Sequence, residues 1–489
     1  MMLFVDDDDP SCGGFVPCYH TIQEAVAAAQ AGDMIKVRAG TYRGFIIIDK
    51  SLVLSGESKE TVLVEGGEPV TYQQPVVTIS GSALVEIENL SIHGKLSRTS
   101  LLYTTGVAIV GQNPRVTIRR SRLFQHLLAV SLTNEPGGIS PSSGQLVITE
   151  SEISHNWQGV YIITDGSQLQ VIQGNLFLDN SLGINASGKG NMTIDRNRVF
   201  YEKKQPTAEV GPEAGIWLGG SLTAMLRQNV IQGTLKGIEL KDSVQAQLEE
   251  NQITNNFLNG VIVRDNAHAQ LARNQITYNG LITLEFSLFL DPFSLPLVME
   301  FDPKGFGIAI GPNASAEILE NKIEGNVIGI GATSSPLLQG PPARLIAQKN
   351  QILNNGWGVW VGGGEVIVSD NEINHNGILE VPLSLTALFP AAGILVQNGQ
   401  PILQLNYFAG NRAGVIVQGP AQPMLSRNRI VSSDRYGISL YLEPCYDIVP
   451  IASAIEFKGE VSGEANELSA NKAGDLCPPD YPWPPGFRK

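Results

Sequence analysis

Residues Asn251–Asn256 read NQITNN, Asn274–Asn279 read NQITYN and Asn350–Asn355 read NQILNN. A single globular core gives no reason to write one hexamer three times. A stack of like turns does, because every turn must present the same side chains at the same height. Aligning the hexamers exposes a longer template, N-x-I-x-x-N-x-x-x-G-[IV]-x-[VIL], with a period of about 22 residues. Its first position is Asn175, Asn197, Asn229, Asn251, Asn274, Asn321, Asn350, Asn371, Asn406, Asn428 and Asn466, with Ser121 and Ser151 as earlier, weaker copies. Two residues on, the side chain is apolar throughout, as in Ile153, Phe177, Ile253, Ile352 and Phe408, which marks a core column.

The unit Asn251–Arg273 holds three short strand-like runs, QIT, VIV and AQLA, separated by corners. Three strands in one turn cannot close a core, so turns must stack with like positions about 4.8 Å apart. The expected fold is all-β, a parallel β-helix (solenoid) of about 14 coils. Asparagine suits the corners because its amide can bond the same residue in the coil above and below, and because it tolerates left-handed backbone. At the start, TIQEAVAAAQAGD predicts a short capping α-helix. Thr21 with Glu24 forms a capping box, Ile22, Ala25, Val26 and Ala29 make the apolar stripe, and Gly32 can end it. The expected organisation is one domain over 1–477, with an N-terminal cap over 1–50, coils over 51–477, and a Pro-rich tail or linker start over 478–489.

Composition narrows the function. The chain has 489 residues, 43% apolar and 16% charged, with net charge −14. That field repels nucleic acid and anionic membrane. No run is long and apolar enough for a membrane span, and MMLFV is too short for a signal-peptide core, so a soluble chain without an export signal of its own is expected. The cysteines fall at opposite ends, Cys12 with Cys18 and Cys445 with Cys477. Disulfides within each pair imply an oxidising compartment, hence secretion to the periplasm or exterior; four reduced thiols are the rival reading.

The segment VDDDDPSCGGFVPCYHTIQEAVAAAQAGDMIKVRAGTYRGFIIIDKSLVLSGE carries T-I-Q-x-A, G-D-x-I-x-V, G-T-Y and L-x-G-E. With the N-x-I-x-x-N-x-x-x-G-I repeats, it resembles the right-handed parallel β-helix proteins with pectate-lyase-like folds, particularly the NosD-like and carbohydrate-binding and sugar-hydrolase repeat proteins. The resemblance implies a right-handed coil. That superfamily mixes polysaccharide lyases, hydrolases, epimerases and metal-related periplasmic proteins, so it leaves the activity open.

Solenoids carry function where the period stretches. Insertions begin near Asn134, Tyr201, Gly280, Ser334 and Gly377; those spanning 280–306 and 377–392 are apolar enough to pack on the flank or to meet a protein partner. Outward positions after the glycine column include Tyr161, Trp217 and Trp360, rings that could stack on sugars unless the insertions cover them. A glycosidase needs two carboxylates across a sugar, and Glu213, Glu239 and Asp242 are the candidates nearest Trp217. Arg119, Arg120 and Arg122, beside Arg115, form the basic cluster an anionic-sugar lyase would use, although corner arginines are often merely solvated. Asp302-Pro303-Lys304 is similar to the D-P-H signature of mannuronan C5-epimerases but has lysine where histidine is wanted. Asp6, Asp7, Asp8 and Asp9 offer oxygens to Ca2+, or simply make a solvated edge. Copper would want clustered His, and His126, His155 and His375 are too far apart to share an ion. The sequence therefore points to a scaffold binding an extended polymer, foremost a polysaccharide. The alternatives are a polysaccharide lyase or glycoside hydrolase, and an assembly protein docking through its apolar insertions.

Overall fold

The computed structural model describes residues 1–67, 73–94, 103–136, 138–202, 213–280, 305–333, 341–377, 391–445 and 456–487. Most of the insertions after Tyr201, Gly280, Ser334 and Gly377 lie outside them, and so do Asp302, Pro303 and Lys304. The chain forms two compact units, Met1–Thr234 and Leu235–Lys489, where one domain is expected from sequence. Coils touch only their neighbours in such a repeat, so no single core fixes a domain count.

In the second unit the coil that opens at Asn251 has strands Gln252–Thr254, Asn259–Val263 and His268–Ala272, where QIT, VIV and AQLA place them. Each pairs in parallel with its counterpart one coil on: Ile253 with Ile276, Val261 with Ile308, Leu271 with Ile318. These inward residues are fully buried. Alternation does the sorting, since successive side chains point to opposite faces of a strand. The first unit is built alike, Ile153 lying over Phe177 and Phe177 over Val199. Its opening coils, with short strands Gly40–Arg43, Val62–Glu65 and Ser91–His93, lack the asparagine motif.

The asparagines stand in files. Asn251 donates its backbone N–H and its Nδ2 to Oδ1 of Asn274, both at 2.9 Å. Asn274 does the same to Asn321, Asn321 to Asn350 and Asn350 to Asn371. The second file runs Asn256, Asn279, Asn326, Asn355, Asn376 and Asn411. Nδ2 also reaches back to a core-strand carbonyl, Asn274 to Leu248 at 2.8 Å. Each buried amide is thereby satisfied, which burial demands. The left-handed corner, however, lies one residue before the asparagine: Glu250, Asn255, Arg273 and Tyr278 have φ of 54, 54, 55 and 56°.

Helix α1, Ile22–Ala28, has the expected capping box: Glu24 N–H donates to Thr21 Oγ1 at 3.2 Å and Thr21 N–H to Glu24 Oε2 at 3.0 Å. Ile22, Ala25 and Val26 are its buried face. At the other end the Pro-rich segment is no loose tail. Trp483 and Phe487 are buried, Trp483 meets Tyr481 edge-on at 5.0 Å and stacks with Phe487 at 6.0 Å, and its indole donates to the Pro478 carbonyl at 2.8 Å. Proline cannot extend the ladder, but proline and aromatic surface can close over it.

Candidate functional site

In the first unit, the outward residue of the strand after the glycine column runs Ala108, Ser131, Tyr161, Asn185, Trp217 in strict register. Tyr161, Asn185 and Trp217 are half-buried. Two rings thus sit two coils apart, about 10 Å, with an amide between them. Asn185 is held by donating Nδ2 to Gln158 Oε1 at 3.1 Å. Burial pushes the Tyr161 phenol up, so it remains a neutral donor. Further along the same strands Asp165 lies over Lys189 and Lys189 over Ser221, lengthening the polar side of the row. The insertion near Asn134 packs beside it: Ser142 N–H donates to the Ile163 carbonyl at 2.8 Å and Asp165 N–H to the Ser142 carbonyl at 3.0 Å. Alternation along the strand is the signal that could have added Asp165 and Lys189 to the candidates; Gln158, three residues before Tyr161, is off that period and joins the row through its bond with Asn185.

In the second unit the same outward column is Glu239, Ile262, Ala309, Gly331, Trp360, Leu395, Ile416, Ser439. It is covered. Ile262, Ala309, Leu395 and Ile416 are each at most 4% exposed. Phe306 lies against Trp360 with ring centroids 5.6 Å apart, and a Cβ on Gly331 would meet Phe306 Cε1 at 2.0 Å. Trp360 Nε1 donates to Gln397 Oε1 at 2.7 Å, and Gln397 Nε2 to Gln418 Oε1 at 3.1 Å. Trp360 is therefore occupied in packing rather than in an open platform. Phe306, Ala391 and Ala392, described residues at the ends of the 280–306 and 377–392 insertions, are buried.

The three acids do not form a described carboxylate pair. Glu239, 4% exposed, sits between Lys236 Nζ at 3.2 Å and Arg264 Nη2 at 2.6 Å. Two cations make it a buried counter-ion. Asp242 is at a left-handed corner with φ 58° and lies 3.8 Å from Lys241. Glu213 belongs to the first unit, exposed at the entrance to strand Ala214–Leu218. The arginine cluster is likewise spent on neighbours. Arg119 pairs with Glu86 and Glu88, Arg120 with Glu88 at 2.7 Å, and Arg122 with Glu152 at 2.9 Å while lying 4.6 Å over the Phe124 ring. Burial would raise the Glu88 carboxyl, but the Ser55 hydroxyl and the two arginines hold it below the usual range. The parallel register brings acids of adjoining coils to these arginines, which linear spacing conceals.

Of the four N-terminal aspartates, Asp6, Asp7 and Asp8 bring one oxygen each within 4.8 Å of one another. Asp9 turns away, accepting from Ser11 N–H, Ser11 Oγ and Gly13 N–H at 2.9, 2.6 and 2.7 Å, and the Ser11 hydroxyl foremost holds its carboxyl down. A hydrogen bond with Asp6, then its charge, raises the Asp8 carboxyl. Ca2+ takes six to eight oxygens, of which this trio supplies three. His126 is fully buried with both ring nitrogens engaged, Nδ1 at 3.2 Å from Thr104 Oγ1 and Nε2 at 3.2 Å from the Ile92 carbonyl. His155 is 3.7 Å from Asp179 and His375 lies at another left-handed corner, so no histidine cluster exists among the described residues. Both expected disulfides are formed, Cys12–Cys18 and Cys445–Cys477, each with Cα atoms 5.7 Å apart. Among the described residues no helix is long and apolar enough to cross a membrane.

The coils, the asparagine files and the outward rows define a parallel β-helix. The chain belongs to the right-handed β-helix family: the model described as a right handed beta helix region matches residues 75–205 and 214–400. No curated protein matches in sequence. Similar solved structures include the A-module of an Azotobacter vinelandii mannuronan C-5 epimerase, 13% identical over 94% of this chain and 93% of that one with TM-score 0.27. The periplasmic alginate epimerase AlgG is 13% identical over 84% and 75%, with TM-score 0.37. A DFA-IIIase from Arthrobacter chlorophenolicus is 12% identical over 94% and 98%, with TM-score 0.38. These likenesses concern the fold.

Proposed function

We propose that the protein is a secreted scaffold that binds an extended polysaccharide along the outward row Tyr161, Asn185 and Trp217. The observation that carries this reading is the register: two half-buried rings and one amide project from the same strand position of successive coils. An extended glycan alternates apolar ring faces with hydroxyls, and this row alternates ring, amide, ring along one line. Asp165 and Lys189 add charged hydrogen-bonding groups on the side where hydroxyls or acidic substituents would lie. The two disulfides support an oxidising compartment. Binding without cleavage is favoured because Glu239, the most enclosed of the candidate acids, is held by Lys236 and Arg264.

The test is affinity electrophoresis of the intact chain in gels containing a panel of neutral and acidic polysaccharides. Trp217→Ala and Tyr161→Ala should each weaken retention, by roughly tenfold for the better ring. Trp360→Ala should leave retention unchanged, provided circular dichroism shows the variant folded. Unaltered mobility of both first-unit variants on every polysaccharide that retains the parent chain would remove the row from the binding surface.

A further inference from the structure

Glu467–Ser469, the last strand of the sheet that carries QIT, pairs with Arg429–Val431 on one side and with no described strand on the other. Asn466 closes the first asparagine file, receiving Asn428 N–H at 3.0 Å and Asn428 Nδ2 at 2.9 Å on Oδ1 and donating its own Nδ2 to the Leu425 carbonyl at 2.8 Å. Its backbone N–H, the group that in Asn251, Asn274, Asn321, Asn350, Asn371, Asn406 and Asn428 meets the next asparagine's Oδ1, has no partner among the described residues. Glu467 N–H and the Ser469 carbonyl turn back to the preceding coil, at 2.8 and 3.2 Å. Bond direction alternates along a parallel strand, so the N–H and C=O of Leu468 turn away from it. Beside this edge is an open depression of about 530 Å3, lined by Asn466, Leu468, Asp475, Leu476 and Phe487. The Pro-rich segment supplies one wall, through Phe487, and no described strand pairs with this edge.

From this we infer that the last coil is an acceptor for one extended peptide strand of another polypeptide, of the form Asn-x-Ile or Asn-x-Leu. The chemistry of the occupant is fixed by the ladder itself. Each asparagine-bearing coil offers its successor one N–H that wants an amide oxygen, then an inward apolar residue two positions on, flanked by main-chain groups in parallel register. At Asn466 and Leu468 those demands meet no successor among the described residues. Strand addition at such an edge draws affinity from main-chain bonds and selectivity from the alternate side chains. This interaction is independent of the polysaccharide row, which lies in the other unit.

The probe is a fluorescein-labelled peptide, blocked at both ends, with the sequence of Arg427–Ser433, RNRIVSS, titrated with the intact chain. Anisotropy should rise saturably, and peptides carrying Asn428→Ala or Ile430→Asp should each bind at least about fivefold more weakly. In the protein, Leu468→Pro removes an outward N–H that no internal bond uses and should abolish binding, with thermal unfolding used to check that it folds. Because the peptide variants leave the protein untouched, they decide the matter even if Leu468→Pro does not fold. A flat titration, or equal binding of a scrambled peptide, would overturn the inference. So would a dimer in sedimentation velocity that Leu468→Pro dissolves, since the edge would then belong to a second copy.

Discussion

An asparagine in these files has an oxygen that receives two N–H groups and a nitrogen that reaches a carbonyl of the preceding coil. No other side chain of that length both accepts and donates in this way, which is why the letter survives at each turn and can be read without coordinates. The left-handed residue before it is illegible because its side chain points to solvent and its identity drifts: Glu250, Arg273, Glu320, Lys349 and Asp370 all adopt it. The informative exception is His126, which takes the asparagine's place in the second file and donates its backbone N–H to Asn156 Oδ1 at 2.9 Å. Burial drives its pKa down to about 3, only partly opposed by the bond to the Ile92 carbonyl. An unfolded histidine titrates near 6.5, so the unfolded chain binds the extra proton first. The contribution to stability is therefore complete above pH 6.5 and declines as pH falls from there towards 3, by up to about 1.4 kcal/mol per pH unit. His126→Asn should restore the ladder and lose this dependence. Thermal midpoints of parent and variant measured from pH 7 to pH 4 should diverge in the variant's favour as the medium acidifies; parallel curves would show that His126 is not the titrating group.

At the level of the strand, period-two alternation tells which residues face out but not what lies over them. Tyr161, Trp217 and Trp360 occupy equivalent outward positions, yet Trp360 is stacked on Phe306, which stands three residues before that outward column on a strand two coils earlier. The arginines misled for a related reason. Arg119 and Glu86 are 33 residues apart in sequence but are neighbours once strand Arg115–Arg119 pairs with Leu84–Glu88. A second apolar layer outside the coil makes a distinct prediction. Phe306, 2% exposed, should behave as a core residue, so Phe306→Ala should cost roughly 3–5 kcal/mol in denaturant unfolding. A cost below about 1 kcal/mol, the value expected of an exposed ring, would mean that this face is open to ligands and would return Trp360 to the platform.

For the molecule as a whole, a repeat held by neighbour contacts is weakest at its ends, where a coil has one neighbour instead of two. The chain reinforces those ends by different means. Helix α1 packs against the opening strands of the first unit, and the aromatic cluster and Cys445–Cys477 secure the close of the second. The end placement of the cysteines was legible in the sequence, whereas the burial of Trp483 and Phe487 was not, since proline content reports what a segment cannot pair with and not what it can cover. Cys477 ends strand Gly474–Cys477, which pairs with Tyr436–Leu440, and Cys445 follows that partner strand by a few residues. The bond thus ties one coil to the next across 32 residues, a closure worth about 3–4 kcal/mol in the chain-entropy account. Its loss should be felt locally. In hydrogen exchange, Cys445→Ser with Cys477→Ser should speed the amides of Tyr436–Leu440 and Gly474–Cys477 by one to two orders of magnitude, while those of Gln252–Thr254 and Gln275–Thr277 keep their parent rates. An equal acceleration in both sets would mean that the second unit opens all at once, and the coil-by-coil account of its stability would have to be given up.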